Sequence, residues 1–453
     1  MLDHTPLEII EREALTINPA KVCQPIGATW ATLGIHGCMP LGHGSQGCVS
    51  YLRMTLSRHL KDPAISATSS FTEASAIFGG IGNLKQAIRN VIHIYKPEVI
   101  AVYTTCVSET IGDDVGGTIK TMIEEGDIPE NVKVIYASTP SYVGSHITGF
   151  SNMTTSMATQ LTKKIKPNGK INLIPGFVSP ADVREIKRLL KLMGIKFIIF
   201  PDVSDVLDTP MTIKYELYPK GGVKVEELMD TANSMCSIAL GSYASSNAAL
   251  VLKRDFDVES FILPLPMGIK NTDLFLMKLK EISGHDIPED IEDERGRLVD
   301  MLCDLERHFY DKRVAVAGDP DTVLGILSII KELNMIPVHV VTGTPAEGFV
   351  DKVKNIVGEG INIKVPGDLF YLHQLIKNEP VDLIIGNSHC KYIARAENIP
   401  LVRIGFPITD RSFNHFFPEV GYVGTMRVVK MIDDAILEKC DREANDEDFE
   451  LVM

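Results

Sequence analysis

Short, almost continuous apolar runs separated by helical patterns constrain the fold of this 453-residue chain more than any other feature. Such runs are typical of strands buried on both faces of a parallel sheet, because strands with one wet face alternate polar and apolar residues. The clearest runs are residues 99–103, 171–175, 196–200, 313–317, 337–341 and 381–385. The pattern predicts an α/β fold built from doubly wound parallel sheets.

The apolar runs fall into three groups, and each group has the β-α-β arrangement of a Rossmann-like domain. We predict three such domains at residues 1–168, 169–306 and 307–453. The second ends in an acidic helix and the third in a helical tail. Division of the chain is expected, since single hydrophobic cores stop growing at roughly 250–300 residues.

Composition argues against several functional classes. The formal net charge of −14 disfavours non-specific binding to nucleic acid or to anionic membranes. The N-terminus lacks a basic segment followed by an apolar one, and no run approaches the roughly 18 apolar residues of a membrane span. We therefore expect a cytoplasmic protein that binds neither nucleic acid nor membrane.

The eight cysteines would lie in a reducing compartment, where structural disulfides are rare. None are paired as CxxC, which disfavours a self-contained zinc knuckle or ferredoxin-type cluster. Any metal must be bound by thiols that the fold, or a second chain, brings together. Cys303 and Cys440 lie in helical patterns and Cys236 precedes an apolar run, so we expect three buried thiols. Cys38 and Cys390 remain ambiguous.

Residues 42–48 read Gly-His-Gly-Ser-Gln-Gly-Cys and combine three glycines with a thiol. Glycines permit a tight turn and close approach to a bulky group, which suggests an inorganic or phosphate-like ligand. A dinucleotide fingerprint is weakly supported, because it should follow a clear strand and residues 36–40 read poorly as one. A helical pattern follows Cys48, which therefore lies near a helix N-terminus, where the dipole favours a thiolate.

Two further residues are expected at one edge of the first sheet. Cys106 follows the apolar run 99–103, and Ser141 follows the next predicted strand. Ligands of doubly wound sheets bind beyond the carboxyl ends of the strands, which favours a site there. Ser141 could equally be a helix cap or turn residue.

Cys23 lies between prolines that favour extended backbone, and taken alone it could be a small buried residue. Together with Cys48 and Cys106 it would give three thiolates. Structural zinc sites and common iron–sulfur clusters take four, so further ligands must come from elsewhere.

Three other features have ordinary as well as functional explanations. Asp300 and Asp304 lie one helical turn apart, and with Asp62 they could bind a divalent cation or form a solvated acidic face. Phe78 precedes two glycines and is either an exposed aromatic or a core residue. The polar N-terminal segment predicts a short helix around residues 6–14.

Five separate stretches, agreeing in order and spacing, closely resemble the β-subunit family of nitrogenase molybdenum–iron proteins. They are residues 18–25, 43–48, 104–106, 112–114 and 139–146, and the likeness continues through 404–407. The resemblance implies an oxidoreductase assembled as an α₂β₂ heterotetramer, in which each αβ pair shares an 8Fe-7S P-cluster.

The resemblance also implies roles for individual residues. Cys23, Cys48 and Cys106, in the first domain, would supply the β half of the P-cluster thiolates, and the α subunit three more. Ser141 would bind a cluster iron in the oxidised form, because oxygen is a hard ligand suited to oxidised iron. The iron–molybdenum cofactor would belong to the α subunit only, so this chain would hold no catalytic residue.

The implied function is electron relay. An ATP-hydrolysing iron protein would dock transiently, with Phe78 on the docking surface, and electrons would pass through the P-cluster to the cofactor, where N₂ becomes ammonia with H₂ evolution. Asp62, Asp300 and Asp304, with the Lys61 carbonyl, would form an intersubunit Ca or Fe site between two β chains. Some members of that family have Glu at the position of Asp62 and many have a longer N-terminus, which leaves the metal and the contacts of that extension open.

Three related families are alternatives. They are the cofactor-assembly scaffold, the β subunits of vanadium or iron-only nitrogenases, and dark-operative protochlorophyllide reductase. The β-like chain of the scaffold lacks the full cysteine set, so the three thiols with Ser141 favour the catalytic protein.

Overall fold

The computed structural model describes residues 4–12, 15, 17–214 and 216–449. Within these residues the strands form three sheets, of four, four and five strands, and neighbouring strands are parallel in each. Helices connect successive strands in all three. The predicted α/β fold with doubly wound parallel sheets is confirmed.

The first sheet has the strand order β2-β1-β3-β4. Its strands are β1 (Cys38–His43), β2 (Ala67–Thr68), β3 (Val99–Thr104) and β4 (Lys133–Ala137). Its helices are α1 (Gln24–Leu33), α2 (Gln46–Leu60), α3 (Glu73–Phe78), α4 (Ile81–Tyr95), α5 (Cys106–Ile111), α6 (Val115–Glu124) and α7 (His146–Gln160), with a 3₁₀ turn at Ser141–Val143.

The second sheet repeats this topology in the order β6-β5-β7-β8. Its strands are β5 (Ile171–Ile174), β6 (Phe197–Ile199), β7 (Cys236–Leu240) and β8 (Glu259–Leu263). Its helices are α8 (Pro180–Leu192), α9 (Val225–Met229) and α10 (Ser246–Phe256), with a 3₁₀ turn at Asp230–Asn233.

The third sheet has the order β11-β10-β9-β12-β13. Its strands are β9 (Arg313–Ala317), β10 (Ile336–Val341), β11 (Asn362–Lys364), β12 (Leu383–Gly386) and β13 (Leu401–Arg403). The remaining helices are α11 (Gly268–Ser283), α12 (Glu289–Phe309), α13 (Pro320–Glu332), α14 (Phe349–Val357), α15 (Leu369–Asn378), α16 (Lys391–Ala396) and α17 (Gly421–Glu443), with 3₁₀ turns at Ser388–Cys390 and Asn414–Phe416.

The chain divides into two compact units. One unit consists of residues 22–263 with 412–416 and contains the first two sheets; the other contains the third sheet and α11 to α17. Each of the three ranges predicted from the sequence holds one sheet. The domain boundaries at residues 168 and 306 remain a prediction.

Strand β1 is the element that the sequence patterns missed. Residues 36–40 read poorly as a strand, yet β1 pairs with β3 along its whole length. The proline at position 40 is tolerated because its carbonyl, 3.4 Å from Oγ of Ser66, faces the short β2, which pairs only with Leu41 and Gly42. The N–H that proline lacks would therefore face a position where β1 forms no backbone hydrogen bond with β2.

The predicted helix around residues 6–14 is wrong over its described part, since residues 4–12 contain no helix. Ala14 lies outside the described residues. Side chains of α15 donate hydrogen bonds to backbone carbonyls that a helix here would use internally. Asn378 donates to the Leu7 carbonyl at 2.7 Å, and Lys377 donates to the Thr5 carbonyl at 2.9 Å. Contacts with a distant part of the chain thus override the local pattern.

Membrane insertion finds no support in the helices. Among those described between residues 4 and 449, none combines the length and apolar character needed to cross a bilayer. Strands β1, β3, β5, β7 and β12 are instead buried along their whole length within the sheets.

Candidate functional site

The strand order of the first sheet changes direction between β1 and β3, because β2 lies on one side of β1 and β3 on the other. Open parallel sheets bind ligands at such a point, beyond the carboxyl ends of the strands. Strand β1 leads into the segment that carries Cys48, and β3 leads directly into Cys106. Two of the predicted residues therefore follow the two strands that flank this crevice.

All three candidate thiols lie at helix N-termini. Cys23 is the N-cap of α1, Cys48 is the third residue of α2 and Cys106 is the first residue of α5. The first turn of a helix has free N–H groups and the positive end of the helix dipole, which favour a thiolate. The predicted position of Cys48 near a helix N-terminus is confirmed.

Ser141 connects two of these helix ends. Its backbone N–H donates to Sγ of Cys106 at 3.3 Å, and its Oγ accepts from the N–H of Gln24 at 3.2 Å. Gln24 is the residue after Cys23. Ser141 also begins a 3₁₀ turn. It is therefore a turn residue and a neighbour of the thiols at the same time.

The charges of Cys106 and Cys23 act on the thiol of Cys48. Cys48 is exposed, but neighbouring protein atoms partly desolvate its thiol and raise its pKa, and negative charge on Cys106 or Cys23 raises it further. The hydroxyl of Ser45 and the Cys48 backbone N–H oppose this rise. Three thiolates at this edge would therefore repel one another unless a cation lay between them.

Close helix packing fixes the position of Cys23. A Cβ atom on Gly27 of α1 would lie 1.7 Å from the backbone oxygen of His146, and one on Gly149 of α7 would lie 2.0 Å from that of Gln24. The two helices thus touch backbone to backbone, which only glycine permits. All ten residues of α1 are buried, so its N-terminus has a single position.

Two of the three glycines of residues 42–47 have a structural explanation, whereas a Cβ on Gly47 would lie 3.6 Å from Oγ of Ser45, an ordinary contact. A Cβ on Gly42 would lie 2.5 Å from Cγ2 of Val49, and one on Gly44, whose φ is +141°, would lie 1.8 Å from Oγ1 of Thr105. At Gly42 and Gly44, protein atoms fill the space that the sequence left open for a phosphate-like ligand. These glycines allow β1 to pack closely against the starts of α2 and α5.

A buried pair that sequence reasoning missed lies beneath the thiols. Nε2 of His43, the last residue of β1, is 3.0 Å from Oδ2 of Asp113, and both side chains are almost wholly inaccessible. Asp113 entered the sequence analysis only as part of a resembling stretch. No local sequence pattern predicts a contact between residues 70 positions apart.

Phe78 is the exposed aromatic rather than the core residue. Its side chain is 87% exposed at the end of α3, and the neighbouring Ile77 is 73% exposed. Two adjacent exposed apolar side chains are unusual on a surface that contacts only water. This pair is called the Phe78 patch below.

The residues of the predicted cation site are all exposed. Asp300 and Asp304 are exposed one turn apart on α12, and Lys61 and Asp62 are exposed at the end of α2, with Lys61 in the left-handed region. Among the described residues, no three His, Cys, Asp or Glu side chains come close enough to hold one metal ion. The cation role of these four residues stays a prediction.

The five other cysteines divide by burial. Cys38, Cys236 and Cys390 are buried, which confirms the prediction for Cys236, and burial raises the pKa of Cys390 to about 12. Cys303 and Cys440 are exposed on α12 and α17, so their predicted burial is wrong. A helical pattern fixes the helix but not which face each thiol occupies.

Comparison with known proteins identifies the family. The sequence profile of nitrogenase component 1 type oxidoreductases matches residues 23–437. The nitrogenase molybdenum–iron protein beta chain of Clostridium pasteurianum is 51% identical over 457 residues, covering 100% of both chains. The chain belongs to the nitrogenase component 1 family. The resemblance seen in the sequence motifs is thereby confirmed.

Other relatives agree with this assignment to nitrogenase component 1. The corresponding beta chains of a Nostoc strain and of Azotobacter vinelandii are 41% and 39% identical, each over 96% of this chain and 86% of the relative. The solved structure of nitrogenase Cp1 at pH 6.5 matches with a TM-score of 0.97 at 51% identity, covering 99% of both chains.

A second chain, from nitrogenase Cp1 at pH 5, matches with a TM-score of 0.69 over 96% of this chain and 92% of its own length. At 16% identity it shares the fold alone. Membership of nitrogenase component 1 implies an oxidoreductase with metal–sulfur clusters and a partnership of α and β chains.

Proposed function

We propose that this chain relays electrons within a molybdenum–iron nitrogenase, from the ATP-hydrolysing iron protein through an 8Fe-7S P-cluster to the iron–molybdenum cofactor. N₂ is reduced there to ammonia with H₂ evolution. The observation that carries the proposal is the placement of three thiols on three helix N-termini around one sheet edge. The cofactor belongs to the α subunit, and this chain acts by holding half of the P-cluster.

The donor set fits an iron–sulfur cluster. Cys23, Cys48 and Cys106 offer soft thiolate ligands, and their mutual repulsion is what bound iron would relieve. When bound, the P-cluster supplies iron centres that accept and release single electrons. The chain's own part is to hold the thiolates on preformed helix ends and to surround them with N–H donors.

Exposure of the thiols supports a shared site. Cys23 and Cys48 are exposed and Cys106 is half-buried, so all three face outward from this chain. Ser141 stands beside Cys106 and offers a hard oxygen to iron in the oxidised state. The α subunit provides the remaining three thiolates, and two αβ pairs form the α₂β₂ tetramer.

The Phe78 patch is the surface on which the iron protein docks transiently. Its exposure and apolar character suit a surface that is covered only part of the time. Lys61, Asp62, Asp300 and Asp304 form an intersubunit site for a Ca or Fe ion, the first through its carbonyl, with ligands drawn from two β chains. Their exposure leaves them accessible to a second chain.

The deciding experiment is purification of the native complex without oxygen, followed by iron and molybdenum analysis and EPR of the oxidised and reduced forms. About eight irons per αβ pair beyond those of the cofactor, with N₂ reduction on adding iron protein and ATP, is the expected result. Cubane-level iron without molybdenum or N₂ reduction would instead indicate an assembly scaffold. Vanadium, or iron alone, in the cofactor would indicate an alternative nitrogenase.

A further inference from the structure

We propose that a chain of buried hydrogen bonds through Asp113 and His43 couples the Phe78 patch to the thiol site. Here the thiol site means the helix starts that hold Cys48 and Cys106. Asp113 and His43 would then be positioning residues for electron transfer. This proposal rests on the proposed function and deepens it, since it names how docking on one surface reaches the cluster ligands.

The chain of contacts begins directly after the docking aromatic. The N–H of Gly80, two residues beyond Phe78, donates to Oδ1 and Oδ2 of Asp113 at 3.1 and 3.0 Å. A Cβ on Gly80 would lie 1.9 Å from Cζ of Phe71, so this backbone is tightly enclosed. Movement of the Phe78 patch is therefore passed to the Asp113 carboxylate rather than absorbed by a loose loop.

The centre of the chain is the imidazole of His43. Its Nε2 lies 3.0 Å from Oδ2 of Asp113, and its Nδ1 lies 3.1 Å from Oγ of Ser69. The same Oγ accepts from the N–H of Gly44 at 3.0 Å. Burial lowers the pKa of His43, although Asp113 raises it. A neutral ring that donates from Nε2 and accepts from the Ser69 hydroxyl satisfies every one of these groups.

The backbone of His43 reaches both helix starts. Its carbonyl accepts from the N–H of Thr105 at 3.0 Å and from Oγ of Ser108 at 2.7 Å, in the first turn of α5 beside Cys106. Three residues after His43, the chain enters α2 and its Cys48. One residue therefore anchors the strand end from which both thiols are placed.

Such a chain transmits displacement because its hydrogen bonds are buried and follow one another without a gap. Buried hydrogen bonds act in a low dielectric and strengthen one another, so breaking one is costly. Substitutions along contiguous networks change the coupling between two sites by roughly 2- to 30-fold.

The test is Asp113→Asn in the assembled complex. The amide removes the negative charge at the centre of the chain, so the hydrogen bonds of this side chain with Gly80 and His43 lose their charge-assisted strength. We expect unchanged iron content and unchanged EPR after chemical oxidation. The first electron transfer from saturating iron protein, followed by stopped flow, should slow by roughly 2- to 30-fold. The control Asp127→Asn removes the same charge from a carboxylate paired with Arg89, at 2.5 Å. It should leave the iron content, the EPR and the rate of electron transfer unchanged.

A double-mutant cycle with Phe78→Ala separates coupling from simple support. In a coupled chain the double variant is no slower than the slower single variant, whereas independent effects multiply. If the effects of the two substitutions multiply, or if Asp113→Asn loses iron, the coupling is overturned and the docking function still stands. Normal electron transfer in Phe78→Ala at limiting iron protein would overturn the docking function and the coupling with it. If Asp113→Asn fails to accumulate, Ser69→Ala, which removes the acceptor of the Gly44 N–H, enters the same cycle with the same expected outcomes.

Discussion

The backbone N–H of Ser141 donates a hydrogen bond to Sγ of Cys106 over 3.3 Å, which joins a strand end to a helix start at the edge of the first sheet. A donor to a ligand sulfur stabilises its charged form and raises the reduction potential of iron bound to it. The side chain and the backbone of Ser141 therefore act on the site in separate ways. Substitution of the side chain leaves the N–H in place.

Ser141→Ala is expected to keep the iron and alter only the oxidised state. The alanine retains the donor to Cys106 but removes the Oγ that accepts from the Gln24 N–H and could bind oxidised iron. Iron content should stay at the wild-type level while the EPR of the oxidised complex changes. Ser138→Ala, which removes a nearby exposed hydroxyl bonded to Glu109, is the control. An unchanged oxidised spectrum would count against a ligand role for Ser141.

Cys48→Ala should abolish assembly of the P-cluster. Loss of one of three thiolates leaves an iron without its ligand, and alanine offers no replacement. Iron per αβ pair should fall by about the content of the cluster, with loss of its EPR signal. Cys303→Ala, at an exposed cysteine on α12, should have no such effect. Full activity with an intact signal in Cys48→Ala would defeat the ligand assignment.

Phe78→Ala should weaken coupling to the iron protein while the cluster stays intact. The substitution removes most of an 87% exposed apolar side chain and touches no core residue. We expect a loss of activity at limiting iron protein that excess iron protein partly restores, measured as electrons transferred per ATP hydrolysed. Phe449→Ala, at an exposed ring near the C-terminus, serves as control. Normal coupling at limiting iron protein would contradict the docking role.

Gly149→Ala should destabilise the fold around α1. The new methyl would overlap the backbone oxygen of Gln24, so α7 and α1 must separate at a cost of about 1–3 kcal/mol. The thermal midpoint and iron content should fall together, because Cys23 begins α1. Gly82→Ala, in α4 with no atom within 4 Å of the new Cβ, should stabilise slightly. Equal midpoints for the two variants would refute the packing argument.

Asp410→Asn gives a pH-dependent test in the unit of the third sheet. Burial raises the pKa of Asp410, but hydrogen bonds from Arg403 and Ser388 outweigh it and lower the pKa to about 2. A depressed pKa contributes stability above the ordinary value of 3.8, and this contribution is lost as pH falls toward 2. The free energy of unfolding of the wild type should therefore exceed that of the variant by about 1–3 kcal/mol at pH 7. The difference between the two free energies of unfolding, followed by thermal unfolding from pH 7 to 3, should narrow below pH 4. A constant difference would contradict the assignment.

The sequence predicted what depends on local pattern. Apolar runs such as 99–103 and 313–317 became buried parallel strands, because burial on both faces leaves a continuous signature. The positions of Cys48 and Cys106 at element ends were predictable for the same reason. Strand β1 was not, since Pro40 is acceptable only because of where β2 stops.

Contacts made by distant residues set the limit of sequence reasoning at the site. The His43–Asp113 pair, the backbone contact of Gly27 with α7 and the fit of Gly44 against Thr105 all join separate elements. The glycines were noticed, but a bound phosphate and a neighbouring side chain leave the same sequence pattern. Only the packed structure distinguishes them.

Helix α1 is enclosed on all sides by its own chain, with every residue from Gln24 to Leu33 buried. Its N-terminal end, where Cys23 lies, is therefore held by contacts between protein atoms. Small zinc domains need their metal to fold. In α1 the chain's own packing supplies that support, so a change at Cys23 alters a ligand without removing what holds the helix that carries it.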